Sequence, residues 1–403
     1  MKVSNRLRCG AAALFTAVGF ALAAVQNLPA AADAKLVDDL WYLRDYEDGT
    51  VSVACEDKTV TELVVPSVID GKTITMLEVD GFKDCTALEK ITVPETVTVI
   101  EDYCFYNCTA LKEINLPKNL DNIGFQAFCG CKSLESLSIP ASVSEIEAFA
   151  FEGCASLTGV KVDRDNPNYK DENGILFDKN GETLYLYPSA LQGEQYAVPD
   201  GCKTVYDNAF IGNPYLKNVD ISGISELGED AFYYCTSLET MTVPEGITEL
   251  NGSVFGKCAA LHSVSLPSTL ETIGDSCFLG CYALDHIEIP RSVTAIQSYA
   301  FFNCPALRSI TLTESVTDVG KYALGFYLGE DDKPRRMPEF EVIADNGTAA
   351  FDYCVQNSIK CSGGVTQGVV FVYIVVGVVA AVIIATVVIV MIQRKNRKKY
   401  EIY

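Results

Sequence analysis

Histidine is scarce in this sequence: its 403 residues include only two, His262 and His286. The two occupy different phases of the internal repeat, no pair of carboxylates recurs at a shared position, and no G-x-S-x-G motif is present. General acid–base and nucleophilic catalysis depend on such groups. We therefore expect a protein that is not an enzyme and that uses no cofactor.

Positive charge is also in deficit, because 31 Lys and Arg against 53 Asp and Glu give a formal net charge of −22. Such a chain repels polyphosphate, so we expect no nucleic-acid partner. Hydrophobic residues make up 49% of the chain and charged residues 21%, a composition that can bury a large core.

Long uncharged stretches lie near both ends. Residues 1–34 have a basic start, an apolar run and a small-residue end, which is typical of a secretory signal peptide. Residues 369–392 are 24 positions without a charge, long enough as a helix to cross a hydrocarbon core of about 30 Å, and residues 393–403 form a basic tail. We predict a single-pass cell-membrane protein that contacts lipid through this helix, with its N-terminal ectodomain outside and its tail in the cytoplasm.

A repeat of 23 residues occupies the rest of the chain. Each of nine regular units has a mark residue, Phe, followed at +6 by Leu and at +9 and +11 by apolar residues; the units marked by Tyr187 and Leu324 are irregular. The period predicts a leucine-rich-repeat solenoid in which each unit packs only against its neighbours. The marks are Phe82, Phe105, Phe128, Phe151, Tyr187, Phe210, Phe232, Phe255, Phe278, Phe301 and Leu324.

The alternation within a unit predicts a short strand. In LEKITVP (88–94), Ile91 and Val93 share one face, and Pro94 ends the strand because it has no N–H for the ladder. Successive parallel strands should form one sheet lined by exposed residues at +8 and +10.

AFEGCASL (150–157), AFYYCTSLETMTVPEGITEL (231–250) and CFLGCYALDHIEIPRSVTAI (277–296) resemble the BspA-like, or treponemal-type, leucine-rich repeat. The resemblance covers nearly all of residues 60–361. It implies an α/β-type repeat with one parallel sheet of short strands; the single transmembrane helix that we predict after the solenoid comes from residues 369–392 and not from the resemblance. It also implies a surface-bound adhesin or binding protein.

We divide the part before the membrane helix into an N-terminal cap region (35–81), the solenoid (82–361) and a linker (362–368). An insertion near 163–187 interrupts the solenoid. Its Asn-Gly pairs flank alternating apolar residues and first predict a projecting hairpin, although its aspartates could also bind calcium.

Eight cysteines lie three residues after a mark and form one ladder along the solenoid. The recurrence predicts buried structural thiols; a disulfide, for instance between the cap residues Cys354 and Cys361, or a metal site is a less favoured alternative. The ladder consists of Cys85, Cys108, Cys131, Cys154, Cys235, Cys258, Cys281 and Cys304.

Candidate binding residues fall into two groups. The strand rows are rich in Ser, Thr and Asn and have no aromatic residue, so they suit a low-affinity, multivalent surface; the hairpin supplies the aromatic side chains that hot spots favour. We predict a surface adhesin or protein-binding scaffold, with a glycan- or nutrient-capture receptor as the alternative; the partner is an extracellular protein or glycan. The strand candidates are Lys90, Thr92, Asn115, Thr242, His286 and Glu288, and the hairpin candidates are Tyr169, Phe177 and Tyr185.

Overall fold

The computed structural model describes residues 35–363. The predicted signal peptide, membrane helix and basic tail, and most of the linker, lie outside the described residues. Each regular unit has three sides, and we name them the front row, the rear row and the turn edge.

The front row consists of the predicted strands. Neighbours pair in parallel one repeat apart, as Ile91 does with Ile114, and the row is divided into four sheets. The predicted solenoid of parallel strands is thereby confirmed. The strands are Glu62–Val64, Lys90–Thr92, Glu113–Asn115, Ser136–Ile139, Gly159–Val162, Gln195–Ala197, Asn218–Asp220, Thr240–Thr242, Ser263–Ser265, His286–Ile287, Ser309–Thr311, Glu341–Ile343 and Lys360–Ser362.

The rear row consists of shorter strands on the other side of the core. They pair in parallel like the front strands, as Ile123 does with Ile146. The strands are Met76–Leu77, Val99–Ile100, Asn122–Ile123, Glu145–Ile146, Thr183–Leu186, Thr204–Val205, Glu226–Leu227, Glu249–Leu250, Thr272–Ile273, Ala295–Ile296 and Asp318–Val319.

The turn edge surrounds the mark residues and forms a third ladder. The N–H of Phe105 donates to the carbonyl of Ala127 at 2.7 Å. Residues two before and two after a mark take a positive φ, 56° at Tyr103 and 58° at Asn107, which interrupts any right-handed helix. The α/β character implied by the resemblance does not hold on this edge: within residues 35–363 the helix is Ala349–Asn357, after the last regular unit.

The core is a column of mark side chains. Ring centroids are 4.8 Å apart for Phe210 and Phe232 and 5.5 Å apart for Phe255 and Phe278, and both pairs are stacked. The leucine at +6 in each regular unit is buried beside them.

The insertion adds two antiparallel strands, Tyr169–Glu172 and Ile175–Asp178. The second pairs with Thr183–Leu186, which returns the chain to the rear row. Successive side chains of a strand point to opposite faces. Ile175 and Phe177 therefore pack in the C-terminal core while Leu176 packs in the N-terminal one. The insertion is a septum between two cores, and the prediction that it projects is wrong.

The septum uses its aspartates within the backbone. Oδ1 of Asp171 accepts from the N–H of Val162 at 2.8 Å, and Oδ1 of Asp178 accepts from the N–H of Thr183 at 2.7 Å. Among the described residues no group of three or more His, Cys, Asp or Glu side chains could hold a metal ion.

Both described ends have their own elements. At the N-terminal end, Lys35–Val37, Trp41–Asp45 and Val51–Cys55 are antiparallel, and the last of them pairs in parallel with the first rear strand. The C-terminal helix begins after Thr348, whose hydroxyl accepts from the N–H of Phe351. It has nine residues, and no helix within 35–363 is long and apolar enough to cross a membrane. The remaining strands, which form two hairpins, are Val68–Ile69, Lys72–Thr73, Phe326–Leu328 and Pro334–Arg336.

Candidate functional site

The structure places all six strand candidates at the front, with exposed side chains. Some of them already have partners. Nζ of Lys90 lies 2.7 Å from Oε2 of Glu113, and the amide of Asn115 bonds to both the N–H and the carbonyl of Val93. The rest of the candidates are Thr92, Thr242, His286 and Glu288.

One unit of the front row is a residue short, because its mark Phe210 is 22 residues before Phe232. Its strand ends in a turn that Oδ1 of Asp220 closes by accepting from the N–H of Ser222 at 2.9 Å. Only Asn218 and Thr240 pair between this strand and the next, whereas the following two strands pair at three positions. The mismatch opens a concavity of about 450 Å³, which we call the front groove.

The front groove carries negative charge and hydroxyl groups. Thr240 and Thr242 contribute hydroxyls to its lining, and Asp220 and Glu245 contribute carboxylates. The N–H and hydroxyl of Ser222 lower the pKa of Asp220, and the same two groups of Ser268 lower the pKa of Glu245. Both carboxylates therefore stay charged well into the acid range. The candidate Thr242 belongs to this groove, while Asp220 and Glu245 escaped sequence reasoning because only the 22-residue step marks the position.

The hairpin candidates do not form an exposed aromatic patch. Tyr169 is 6% exposed, and its hydroxyl accepts from the N–H of Ile146 at 3.2 Å, one repeat earlier, at the edge of the N-terminal rear sheet. Phe177 is 1% exposed within the C-terminal core. The hypothesis that Tyr169 and Phe177 contact a ligand directly is thereby corrected: both hold the septum in place. Tyr185 is half-buried against Tyr206, with centroids 4.7 Å apart.

Exposed aromatic rings instead lie on the turn edge. Tyr234 is 50% exposed beside Tyr233, and Nζ of Lys257 lies 5.4 Å and 5.6 Å from the two ring centroids. Tyr103 and Tyr106 form a second, partly buried pair near the N-terminal end. The repeat predicts these positions, one or two residues from a mark, but not that they face solvent.

A second concavity lies where the septum interrupts the turn edge. We call it the septum cleft: a space of about 30 Å³ between the turns 147–152 and 206–211, with Leu176 and Leu186 also in its lining. Glu147, Glu152 and Asp207 line it, and none of its lining residues is Lys or Arg.

Asn208 lines the same cleft and is only 4% exposed to solvent. Neither its Oδ1 nor its Nδ2 has a hydrogen-bond partner among the described residues. Leaving a buried amide unpaired costs about 1–3 kcal/mol, so this side chain is placed at an energetic cost. The sequence shows Asn208 only as one of several polar residues two before a mark.

Burial destabilises the charged forms of two carboxyls near the cleft. Burial and then the charges of Glu229, Glu152 and Asp207 together raise the pKa of Asp230 to about 7, while a hydrogen bond with Ser253 opposes them. Burial likewise raises the pKa of Glu152, whose Oε2 accepts from Nε2 of Gln126 at 2.9 Å.

We expect Asp230→Asn to stabilise the protein at pH 8 and to have little effect near pH 4. A carboxyl whose pKa is higher in the folded than in the unfolded chain makes the folded state lose stability as pH rises from about 4 to 7. Asparagine fits the backbone, because Asn208 has a φ of 63° one unit earlier where Asp230 has 54°. Melting temperatures across this pH range measure the effect; the exposed Asp318→Asn is the control, and equal shifts in both variants would contradict the assignment.

The cysteine ladder is buried in all eight units. Seven of its thiols donate to the carbonyl of the preceding mark, as Sγ of Cys258 does to Phe232 at 3.1 Å and that of Cys304 to Phe278 at 3.0 Å. Burial raises the pKa of Cys304 to about 12, which disfavours the reactive thiolate. All described cysteines are free thiols, including Cys354 and Cys361.

The family model of the BspA type leucine rich repeat region matches residues 58–172 and 203–327 in six copies, more than half of the chain. The chain belongs to the BspA type leucine-rich-repeat family. The two matched blocks leave out residues 173–202, which contain two of the septum strands, so the BspA-type pattern is interrupted where the core divides.

Several solved structures are similar to this BspA-type chain. A leucine-rich repeat protein from Eubacterium ventriosum is 25% identical, with 76% of this chain and 100% of that chain covered and a TM-score of 0.47. Pneumococcal vaccine antigen PcpA is 19% identical, with 82% and 97% covered and a TM-score of 0.51. A leucine rich cell surface protein from Faecalibacterium prausnitzii is 21% identical, with 75% and 96% covered and a TM-score of 0.36.

No curated protein matches the chain. The likeness to PcpA concerns the fold alone, so the BspA-type repeat identifies the architecture, and the chemistry of the surfaces must come from this chain's own side chains.

Proposed function

We propose that this chain is a membrane-anchored extracellular scaffold or adhesin that binds a partner protein through its front groove and acts by binding, not by catalysis. The observation that carries the proposal is the groove itself, a concavity of about 450 Å³ in an otherwise regular row of exposed polar strands. A depression lined by fixed hydrogen-bonding groups gives a partner an orientation, which a flat polar face does not.

The side chains of the groove suit a polar, cation-bearing protein surface. Its two carboxylates are ionised at neutral pH and its hydroxyls can donate or accept. The front-row strands on either side of the groove carry similar Ser and Thr residues, so weak contacts along the row can add to one central contact. The resemblance to BspA-like adhesins supports this function, and the charge-free segment 369–392 supports the anchor.

We expect Thr242→Arg to weaken partner binding at least tenfold, because a long cationic side chain would fill the groove and neutralise its charge. The partner is first captured on intact cells with a photo-crosslinking residue at position 242, and its affinity for the purified full chain is then measured with and without the substitution. A tenfold loss corresponds to about 1.4 kcal/mol, a typical hot-spot effect.

Thr294→Arg is the matched control, since Thr294 is an exposed threonine just before the rear strand Ala295–Ile296. It should leave the affinity unchanged. Equal binding by the parent and Thr242→Arg, or crosslinks that form equally at positions 242 and 294, would contradict a front-groove partner.

A glycan-capture receptor is the second candidate. The exposed Tyr234 beside Tyr233 on the turn edge favours it, because sugar-binding sites use aromatic platforms. Lys257 lies near both rings, so the platform is partly covered by a cation. A neutral oligosaccharide that binds the parent chain and not Tyr234→Ala would support this function in place of the first.

A further inference from the structure

In regular units every second N–H of the turn edge donates to the next turn. Tyr103, Phe105 and Asn107 show the pattern, with donor–acceptor distances of 2.9, 2.7 and 2.7 Å. The turn that faces the septum differs: the N–H groups of Phe149 and Phe151 have no acceptor within residues 35–363. The septum displaces the turn that would have supplied the carbonyls, so two backbone donors are left at the septum cleft.

The cleft therefore combines two kinds of unpaired group with two negative charges that a ligand could approach. It has backbone donors at Phe149 and Phe151, a buried amide at Asn208 without a partner, and lining carboxylates at Glu152 and Asp207. Unpaired buried polar groups are rare in folded proteins and call for a partner.

These features select the chemistry of the ligand. The donors and Nδ2 of Asn208 require acceptors, but the carboxylates repel a free anion. The carboxylates and Oδ1 of Asn208 require cationic or N–H donors, yet the geometry offers no set of three ligands for a metal ion in the described chain. A peptide with a basic side chain supplies both kinds of group, because its carbonyls accept and its guanidinium or ammonium donates.

We propose that the septum cleft is a binding site for a short basic peptide segment of a partner protein, separate from the front groove. Carbonyls of the segment accept from the N–H groups of Phe149 and Phe151, as the missing turn would. Its basic side chain enters between Glu152 and Asp207 and donates to Oδ1 of Asn208. A space of about 30 Å³ admits the tip of one side chain, so the peptide backbone lies along the mouth.

The charge around the cleft agrees with this assignment. Several carboxylates, among them Glu229 and Asp230, surround the place without an interposed base in the lining. Glu229, Glu152 and Asp207 disfavour the charged form of Asp230, and a bound cation would offset their effect. Binding should thus be tighter at pH 8 than at pH 6, since Asp230, whose pKa is about 7, loses its proton as the pH rises from 6 to 8.

The test uses the full chain and a capped pentapeptide of alternating alanine and arginine, titrated by calorimetry. We expect saturable one-to-one binding that falls at least tenfold in Asn208→Ser and in Glu152→Gln. Serine is compatible with the backbone there, because Ser253 and Ser276 have φ of 51° and 56° at the same place in later units.

Glu249→Gln is the charge-matched control, since it removes one negative charge at an exposed rear-row position. Absence of measurable binding, unchanged affinity in Asn208→Ser, or an equal loss in Glu249→Gln and Glu152→Gln would overturn the proposal. If Asn208→Ser fails to melt cooperatively, Glu152→Gln alone decides. Thr242→Arg should leave peptide binding intact, so a failed front groove and a failed septum cleft are distinguishable.

Discussion

Replacing Phe255 by alanine is expected to destabilise the protein by about 5 kcal/mol. Its ring is fully buried and stacks between Phe232 at 5.7 Å and Phe278 at 5.5 Å. A buried Phe→Ala change costs about 3–5 kcal/mol, and each lost aromatic pair adds about 0.5–1.5 kcal/mol. Urea unfolding followed by circular dichroism measures the free energy of unfolding.

Tyr282→Ala provides the comparison, because Tyr282 is 51% exposed and has one weak contact from Asn303 at 3.4 Å. We expect a change of at most about 0.5 kcal/mol there. A loss below about 1 kcal/mol in Phe255→Ala would show that the aromatic column does not carry the stability that its burial implies.

A single added methyl group at Gly274 should destabilise the protein by about 3 kcal/mol. An ideal Cβ on Gly274 would overlap the carbonyl oxygen of Leu250 and would lie 2.9 Å from the carbonyl carbon of Asn251. Both are backbone atoms of the neighbouring unit and cannot rotate away, so the units must separate. Overpacking typically costs about 1–3 kcal/mol. Because the neighbouring atoms belong to the backbone and cannot move easily, we expect a cost at the upper end of that range.

Gly223→Ala is the same substitution in a site with room. Its Cβ would lie 3.7 Å from the carbonyl oxygen of Cys202, an ordinary contact. Removing backbone freedom from the unfolded chain should then stabilise the protein by about 0.4–1 kcal/mol. Thermal melting of the two alanine variants should show opposite signs; a stabilised Gly274→Ala would mean that the units stack less closely than the structure shows.

The sequence predicts the solenoid because its units make the same contacts again and again. The apolar positions of a unit such as Leu88, Ile91 and Val93 all point inward, and periodicity alone reveals that. The turn edge was harder to predict. Its left-handed residues include Tyr103 and Gln126, which have no local preference for a positive φ, so their conformation comes from the stacking of units and not from their own side chains.

The candidate surfaces were less predictable because they arise where the repeat fails. The front groove follows from one missing residue before Phe232. The spacing of the marks in the sequence reveals the missing residue but not how it changes the strand pairing. The septum was predicted to be a hairpin from its turn residues, correctly as to the turn at Gly174 and wrongly as to its place, since Phe177 reads equally well as a ligand contact or as core. Asn208 could not be identified from the sequence, because nothing there indicates that its amide is buried without a partner.

The septum also allows the two halves of the molecule to fold one after the other. Leu176 packs in the N-terminal core and Phe177 in the C-terminal one. All buried residues of the N-terminal core are therefore present once the chain has been synthesised through Leu186. During synthesis that half can fold while the later units are still extended, as domains generally do. The finished half then presents the strand Thr183–Leu186 as a template for the rear strand Thr204–Val205. Folding of the second stack can thus propagate from an ordered edge and needs no nucleus of its own.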